Sequence, residues 1–447
     1  MKKALVIILA LVMVLSVFAA CDKAEETPDV TKAPEAEEVT EAPEETISGE
    51  ITFIHQRTDL NDNLFVEYVE EFNKIYPDVK VNLETMTDYK GEIAIRMSTE
   101  EYGDVLMISD DVPMAELGDF FEPLGTVEEL SEKYLYVNEK AYEEISYGIP
   151  AMCNANGIVY NKKVFTDAGV TEIPGTPEEF IAALQMIKDN TDAIPYYTNY
   201  ADGWPLGGQW EAATPSVAGP QTTWANQDVV HDDSPWSEGK PYYVMSKLLF
   251  DMVSMGLTEE DPTTTNWEAC KAMLGRGEIG AMLLGSWSIS QMKDQAENPD
   301  DIGYMPIPYT NADGSVYANA GGDYKMGINV HSENKETAEA WLYWFMDESG
   351  YALGQGAISP VKGDPFPDTL AAFGELGVIL VANEDAKEGE ASFLDDIDSE
   401  AEIGRWSQDY RVRLVEAGIG NTDETFEDIM TDLNSRWAAA RESLGID

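Results

Sequence analysis

Three short segments just after residue 50 restrict the fold class more than anything else in the chain. Ile51 to His55 is an apolar strand, and Leu64 to Ile75 sets Phe65, Val69, Phe72 and Ile75 on one helical face until Tyr76-Pro77 stops it. Val79, Val81 and Leu83 then alternate. Strand, helix, strand is the unit from which mostly parallel sheets are built. The same order returns downstream: Asp104–Ile108, Gly157–Tyr160 and Ile279–Leu284 read as strands, Thr176–Lys188 and Ala338–Met346 as helices. The pattern predicts an α/β protein. No self-similarity at a period of about 20 to 50 residues is visible, so a solenoid or propeller is not expected.

Charge narrows the function classes. The 447 residues carry 28 Lys and Arg against 84 Asp and Glu, a formal net charge of −56. A nucleic-acid binder needs a basic face that neutralises phosphates, and these thinly spread cations do not make one. Anionic lipid headgroups repel the chain for the same reason, so membrane attachment has to be covalent or hydrophobic. Three Cys make no disulfide framework, and Cys153 and Cys270 read as buried thiols.

The N-terminus sets the compartment. Lys2 and Lys3 precede an apolar stretch, Ala4 to Ala20, in which Ser16 is the single polar residue. This is the form of a secretory signal, and it is short for a membrane span. Phe18-Ala19-Ala20-Cys21 resembles a bacterial lipobox, with Phe where Leu is usual. That resemblance implies removal of residues 1–20 and a lipid on Cys21. Residues 21–49 hold ten acids against two lysines, with three prolines. Such a segment buries too little to order itself and reads as an acidic tether. The folded body is expected from about Glu50.

Enzymatic constellations are scarce. His55, His231 and His331 are the only histidines, none at metal-ligand spacing with a second His or Cys, and neither GxSxG nor GxxxxGK[ST] occurs. No metal or cofactor is therefore expected. Asp59, Asn61, Asn63 and Glu70 fall at calcium-loop positions, but Leu64 stands where the turn requires Gly, so the segment reads as a helix start rich in caps. Carboxylates are so abundant that a glycosidase pair stays open on composition alone.

A more specific signal starts at Gly148. Gly148-Ile149-Pro150, then Gly157-Ile158-Val159-Tyr160-Asn161-Lys162-Lys163-Val164-Phe165, Ala168-Gly169 and Pro174-Gly175-Thr176-Pro177-Glu178-Glu179-Phe180 resemble the signature of family 1 extracellular solute-binding proteins. Gly275 to Trp287 and the run from Ile302 through Gly327-Ile328-Asn329 to Phe345 resemble two further blocks of that family, in the same order. The resemblance implies a two-lobed, periplasmic-binding-protein-like α/β fold with interleaved segments and a cleft that closes about a hinge. It places 50–149 with 318–352 in one lobe, and 150–317 with 353–447 in the other, the C-terminal helices also bracing the first. It further implies a non-catalytic receptor that hands a small solute to the permease of an ABC importer.

Candidate site residues follow from the rule that open α/β sheets bind ligands beyond the carboxyl ends of their strands. It selects Gln56, Arg57, Asp110 and Asp111, then Asn154 in the crossing segment, Trp287, Asp323 and Tyr324. The resemblance adds Asp202 and Trp204 in Tyr200–Leu206, and Trp406 in the C-terminal region. Aromatic faces cover the C–H face of a pyranose, and planar polar groups bind its hydroxyl rim, so a carbohydrate ligand is expected. The alternatives are another polar solute (peptide, polyamine or glycerol phosphate ester) or, from a different class, a secreted glycosidase. Together these readings describe a monomeric lipoprotein on the outer face of the bacterial cytoplasmic membrane, with carbohydrate and permease as its partners.

Overall fold

In the computed structural model the βαβ pattern at the start of the body is realised as strand β1 (Gly49–His55), helix Leu64–Ile75 and strand β2 (Val79–Thr85), followed by β3 (Val105–Met107). The structure describes residues 47–86, 89–109 and 111–446. The expected signal segment, Cys21 and nearly all of the tether, together with Asp110, lie outside the described residues. β1 pairs in parallel with both β2 and β3. Asn63 caps the helix, and its side chain accepts the Leu64 N–H, so the near-calcium motif is a helix start.

Two long strands join the halves of the molecule. β4 (Ile149–Asn161) pairs through its later residues with β6 (Ile279–Gly285) and β7 (Ile302–Met305), and β5 (Ile194–Tyr196) lies parallel to β6. β8 (Tyr317–Ile328) runs antiparallel to β4 at Ala320–Met326 and then to β3 at Met326–Ile328. In the resulting order, β2-β1-β3-β8-β4-β6-β5, the pairs β2–β1, β1–β3 and β6–β5 are parallel, and β3–β8, β8–β4 and β4–β6 are antiparallel. Gly322 sits at this crossing because a Cβ there would lie 2.5 Å from the Pro150 ring. A third crossing lies alongside: Cys153 and Ile358 exchange both backbone hydrogen bonds, at 2.8 and 3.1 Å. Cys153 and Cys270 are free and buried, as expected.

Each lobe has its own core. In the first, Ile51, Phe53, Phe65 and Phe72 pack against Trp341 and Phe345 of helix Lys335–Asp347. In the second, helices Pro177–Asn190 and Pro241–Ser254 share a core with the C-terminal helices Asp409–Gly418 and Phe426–Leu444. Thr176 caps the first of these, with Pro177 at its first position. That second core contains a charged network: Glu211 accepts from Arg405 and Arg411, each at 2.9 Å, and from the Tyr242 hydroxyl at 2.7 Å. Both arginines are fully buried, so the carboxylate is what makes their burial tolerable.

Candidate functional site

The carboxyl end of β1, the middle of β4, the turn after β6, the middle of β8 and the segment after Tyr351–Gly354 converge on one cavity of about 410 Å³. Arg57, Asn154, Ser286, Trp287, Asp323, Tyr324 and Gln355 are among its lining residues. A second cavity of about 220 Å³ shares Asp323 and Tyr324 with it and extends over the first lobe past Gln56, Tyr89, Lys90, Ser109 and Lys325. The two form one cleft partitioned by Asp323-Tyr324.

A chain of hydrogen bonds ties the three contributing elements together. Asn154 Nδ2 donates to Asp323 Oδ2 at 3.0 Å, Ser286 Oγ donates to Asn154 Oδ1 at 3.1 Å, and the Ala155 N–H donates to Ser286 Oγ at 3.1 Å. The Gly-Ser-Trp turn explains itself in the same place. A Cβ on Gly285 would lie 2.4 Å from Trp287 Nε1, so Gly is needed for the indole to lie across the strand end. Ser286 then anchors the turn to β4, and Trp287 is delivered to the cavity wall.

Arg57 is fixed on several sides. Asp59 receives Nε and Nη2 at 2.9 and 2.7 Å, the Tyr351 hydroxyl accepts from Nη1 at 3.1 Å, and Gln355 accepts from Nη2 at 2.9 Å. The Asp59 carboxylate, the chief influence, raises the already high pKa of the guanidinium, so the cation is permanent. Tyr324 holds a left-handed backbone at φ +50°, which a non-glycine residue adopts at a cost of about 1–2 kcal/mol. Burial raises its hydroxyl pKa, keeping it a neutral hydrogen-bonding group. Strain of this sort concentrates where a side chain has to be aimed.

Three tryptophans of the second lobe form a cluster beside this cavity. Trp204 lies 5.9 Å from Trp287 and 4.9 Å from Trp267, centroid to centroid, and 41% of Trp204 is exposed. Lys271 Nζ sits 4.8 Å from the Trp267 ring centroid, and Asp202 accepts the Trp267 N–H at 2.6 Å. Asp202 is thus engaged at the start of helix Trp267–Gly275 rather than in the cavity wall. Trp406 is 57% exposed, on a loop against Gly207 and Gly208, and lines neither cavity. Asp111 forms an ion pair with Lys90 at 2.7 Å on the rim of the second cavity.

Of the residues selected from sequence, the structure gathers Gln56, Arg57, Asn154, Trp287, Asp323 and Tyr324 in the cleft. Ser286, Ser290, Gln291, Gln355, Tyr89, Lys90 and Lys325 were not selected. Ser290 and Gln291 follow the Gly-Ser-Trp turn by one helical turn, so that motif carried a usable signal. Gln355 has none, since it enters through a crossing whose pairing is non-local. Trp267, which the strand-end rule does not select, joins the aromatic cluster. Asp323 is the single carboxylate among the described residues lining the two cavities, so no pair of the kind glycosidases use is assembled from them. Among all described residues, no three His, Cys, Asp or Glu gather as metal ligands.

Comparison with known proteins follows the same outline. Residues 59–352 match the family model described as bacterial extracellular solute-binding protein. A multiple sugar-binding protein of Streptococcus mutans is 23% identical over 72% of this chain and 79% of its own. Two solved structures from Bifidobacterium animalis subsp. lactis are each 35% identical, covering 89% of this chain and 95% of theirs. One is a manno-oligosaccharide specific solute binding protein in complex with mannotriose, at a TM-score of 0.69. The other is an ABC transporter binding protein in complex with mannobiose, at 0.70.

Proposed function

The chain belongs to the bacterial extracellular solute-binding protein family, and from that premise we propose that it captures an oligosaccharide in the cleft and delivers it to an ABC importer. The observation that carries the reading is the pairing, in one cavity, of the Trp287 indole with the fixed polar groups of Arg57, Asn154, Asp323 and Gln355. An indole covers the C–H face of a pyranose, and the polar groups meet its hydroxyls. Relatives at 35% identity solved with mannobiose and mannotriose favour a manno-oligosaccharide. The protein is a receptor without catalytic residues, and the lobes close on the sugar.

The N-terminal sequence supports attachment as a lipoprotein through Cys21 after removal of residues 1–20, with the acidic segment as spacer. Cys21→Ser should release the protein from membranes into the medium.

Titration calorimetry and tryptophan fluorescence with mannobiose, mannotriose, maltotriose, raffinose and a polyamine test the ligand. Heat and a fluorescence change with a mannoside support the reading. A response to the polyamine and to none of the sugars overturns it.

A further inference from the structure

A third cavity, of about 530 Å³, lies on the second lobe and shares no lining residue with the cleft. It runs between the first turns of helix Pro177–Asn190 and the N-terminal half of helix Pro241–Ser254, with the loop at Tyr309-Thr310 as its third wall. Ile181, Val244 and Leu248 and the rings of Tyr243 and Tyr309 make most of its surface apolar. This surface continues the second-lobe core outward, since Ile181, Tyr243, Val244 and Tyr309 all pack against that core while remaining partly open to solvent. A monomer that leaves such a concave apolar surface uncovered usually covers it with a partner.

The charges around the groove select the partner. Glu178, Glu238 and Asp251 stand among the lining residues against one cation, Lys247, which Asp251 already holds at 2.6 Å. The side chains of Glu178 and Glu238 make no hydrogen bond or ion pair with another described residue. The groove therefore carries a negative excess over an apolar floor. A second copy of this chain, at −56, is repelled, as are an anionic lipid surface and a nucleic acid. What complements it is a polypeptide segment with Lys or Arg beside apolar side chains, its cations on Glu178 and Glu238 and its apolar groups between Tyr243 and Tyr309.

We propose that this groove seats a basic, apolar segment of the importer's permease, which rests on the transport function proposed above. The groove would then anchor the second lobe to the permease while the cleft stays free to open and close. Seating a cation between two unpaired carboxylates also makes docking weaken with salt, which sugar binding to the cleft would not do to the same extent.

Two measurements test it in cells that carry the full-length protein and its importer. The first is the double charge reversal Glu178→Lys with Glu238→Lys, both on the surface. It should lower uptake of labelled mannotriose at least tenfold, with mannotriose affinity of the purified protein unchanged within about twofold. Unchanged uptake overturns the proposal. The second places photoreactive p-benzoylphenylalanine at Tyr243, or at Ile75 on the first lobe as control. A crosslink to a permease subunit from position 243 and none from position 75 supports the proposal. No crosslink, equal crosslinking from both positions, or one only to a second copy of the chain overturns it. If no sugar is bound at all, the transport reading falls on its own and the crosslink alone decides the groove. A calorimetric stoichiometry of two mannotriose per chain, reduced to one by the double reversal, would assign the groove to sugar and likewise overturn the proposal.

Discussion

Asn154 Nδ2 reaches Asp323 Oδ2 at 3.0 Å, joining the two strands that pass between the lobes at the point where both face the cleft. Asn154 sits opposite Gly321 in the ladder, two residues before Asp323, so the bond is diagonal across the crossing. The amide holds the carboxylate in one orientation and is itself oriented by Ser286. A cleft built on this relay has its polar floor assembled before ligand arrives, which lowers the ordering cost of binding.

Asn154→Ala removes the donor to Asp323 and the acceptor of Ser286 together. Mannotriose affinity should fall about tenfold to a hundredfold, the equivalent of about 1–3 kcal/mol for buried polar groups left unmatched. Calorimetry reads this directly. Affinity within twofold of the parent would show that the relay does not shape the site.

Gly285→Ala tests how the aromatic wall is delivered. The new methyl would fall on Trp287 Nε1, so the indole has to swing away or the turn has to shift. Overpacking of this kind costs about 1–3 kcal/mol. The variant should melt lower, shift its tryptophan emission and lose sugar affinity to a degree approaching Trp287→Ala. Full affinity in Gly285→Ala would mean that the turn relaxes without moving the ring.

The βαβ start, the helix caps and the Gly-Ser-Trp turn were legible because each depends on residues close in sequence. The first strand begins two residues earlier than its apolar run, at Gly49, since backbone pairing to Val79 continues past the last apolar side chain. Gln56, Arg57, Asn154, Asp323 and Tyr324 were found by a rule about strand ends, and they do reach the cleft. Asp202 shows the limit of such reasoning. An acid in an aromatic segment reads as a sugar ligand, whereas the fold presents it to the start of a helix more than sixty residues later. Gln355 was invisible for the reciprocal reason: its partner Arg57 lies 298 residues away.

Acid should weaken the first lobe through His55. Its ring is buried between Phe53 and Phe65, and burial, the main influence, lowers its pKa from 6.5 to about 4. After burial, Asn61 is the next influence and favours protonation, Arg57 opposes it, and Asp59 favours it more weakly than either. The unfolded chain binds the proton at higher pH than the folded one, so stability is complete above pH 6.5 and declines as pH falls toward 4. The loss from this group is at most about 3 kcal/mol. Urea unfolding across that window should show the decline in the parent and a shallower one in His55→Gln. Parallel curves would remove His55 as the source.

Glu211 separates the stability of the second-lobe core from the order of one loop. Its carboxylate is shared by Arg405 and Arg411, which flank exposed Trp406, so one buried acid fixes the loop that presents that indole. Glu211→Gln leaves two buried guanidiniums without their shared counter-ion, since Asp398 approaches only Arg405, and should cost about 3–5 kcal/mol in urea unfolding. Replacing all three together, Glu211→Leu with Arg405→Met and Arg411→Leu, removes the charges along with the need to pair them. That variant should recover most of the lost stability, because a well-packed apolar group avoids the desolvation cost of buried ions. It should not recover the loop, since Arg411 also donates to the Arg405 carbonyl at 2.7 Å and thereby closes the turn around Trp406. Faster hydrogen exchange at residues 404–408 in a triple variant as stable as the parent is the expected result. Parent-like exchange there would mean that apolar packing alone holds the loop and that the ion network is dispensable.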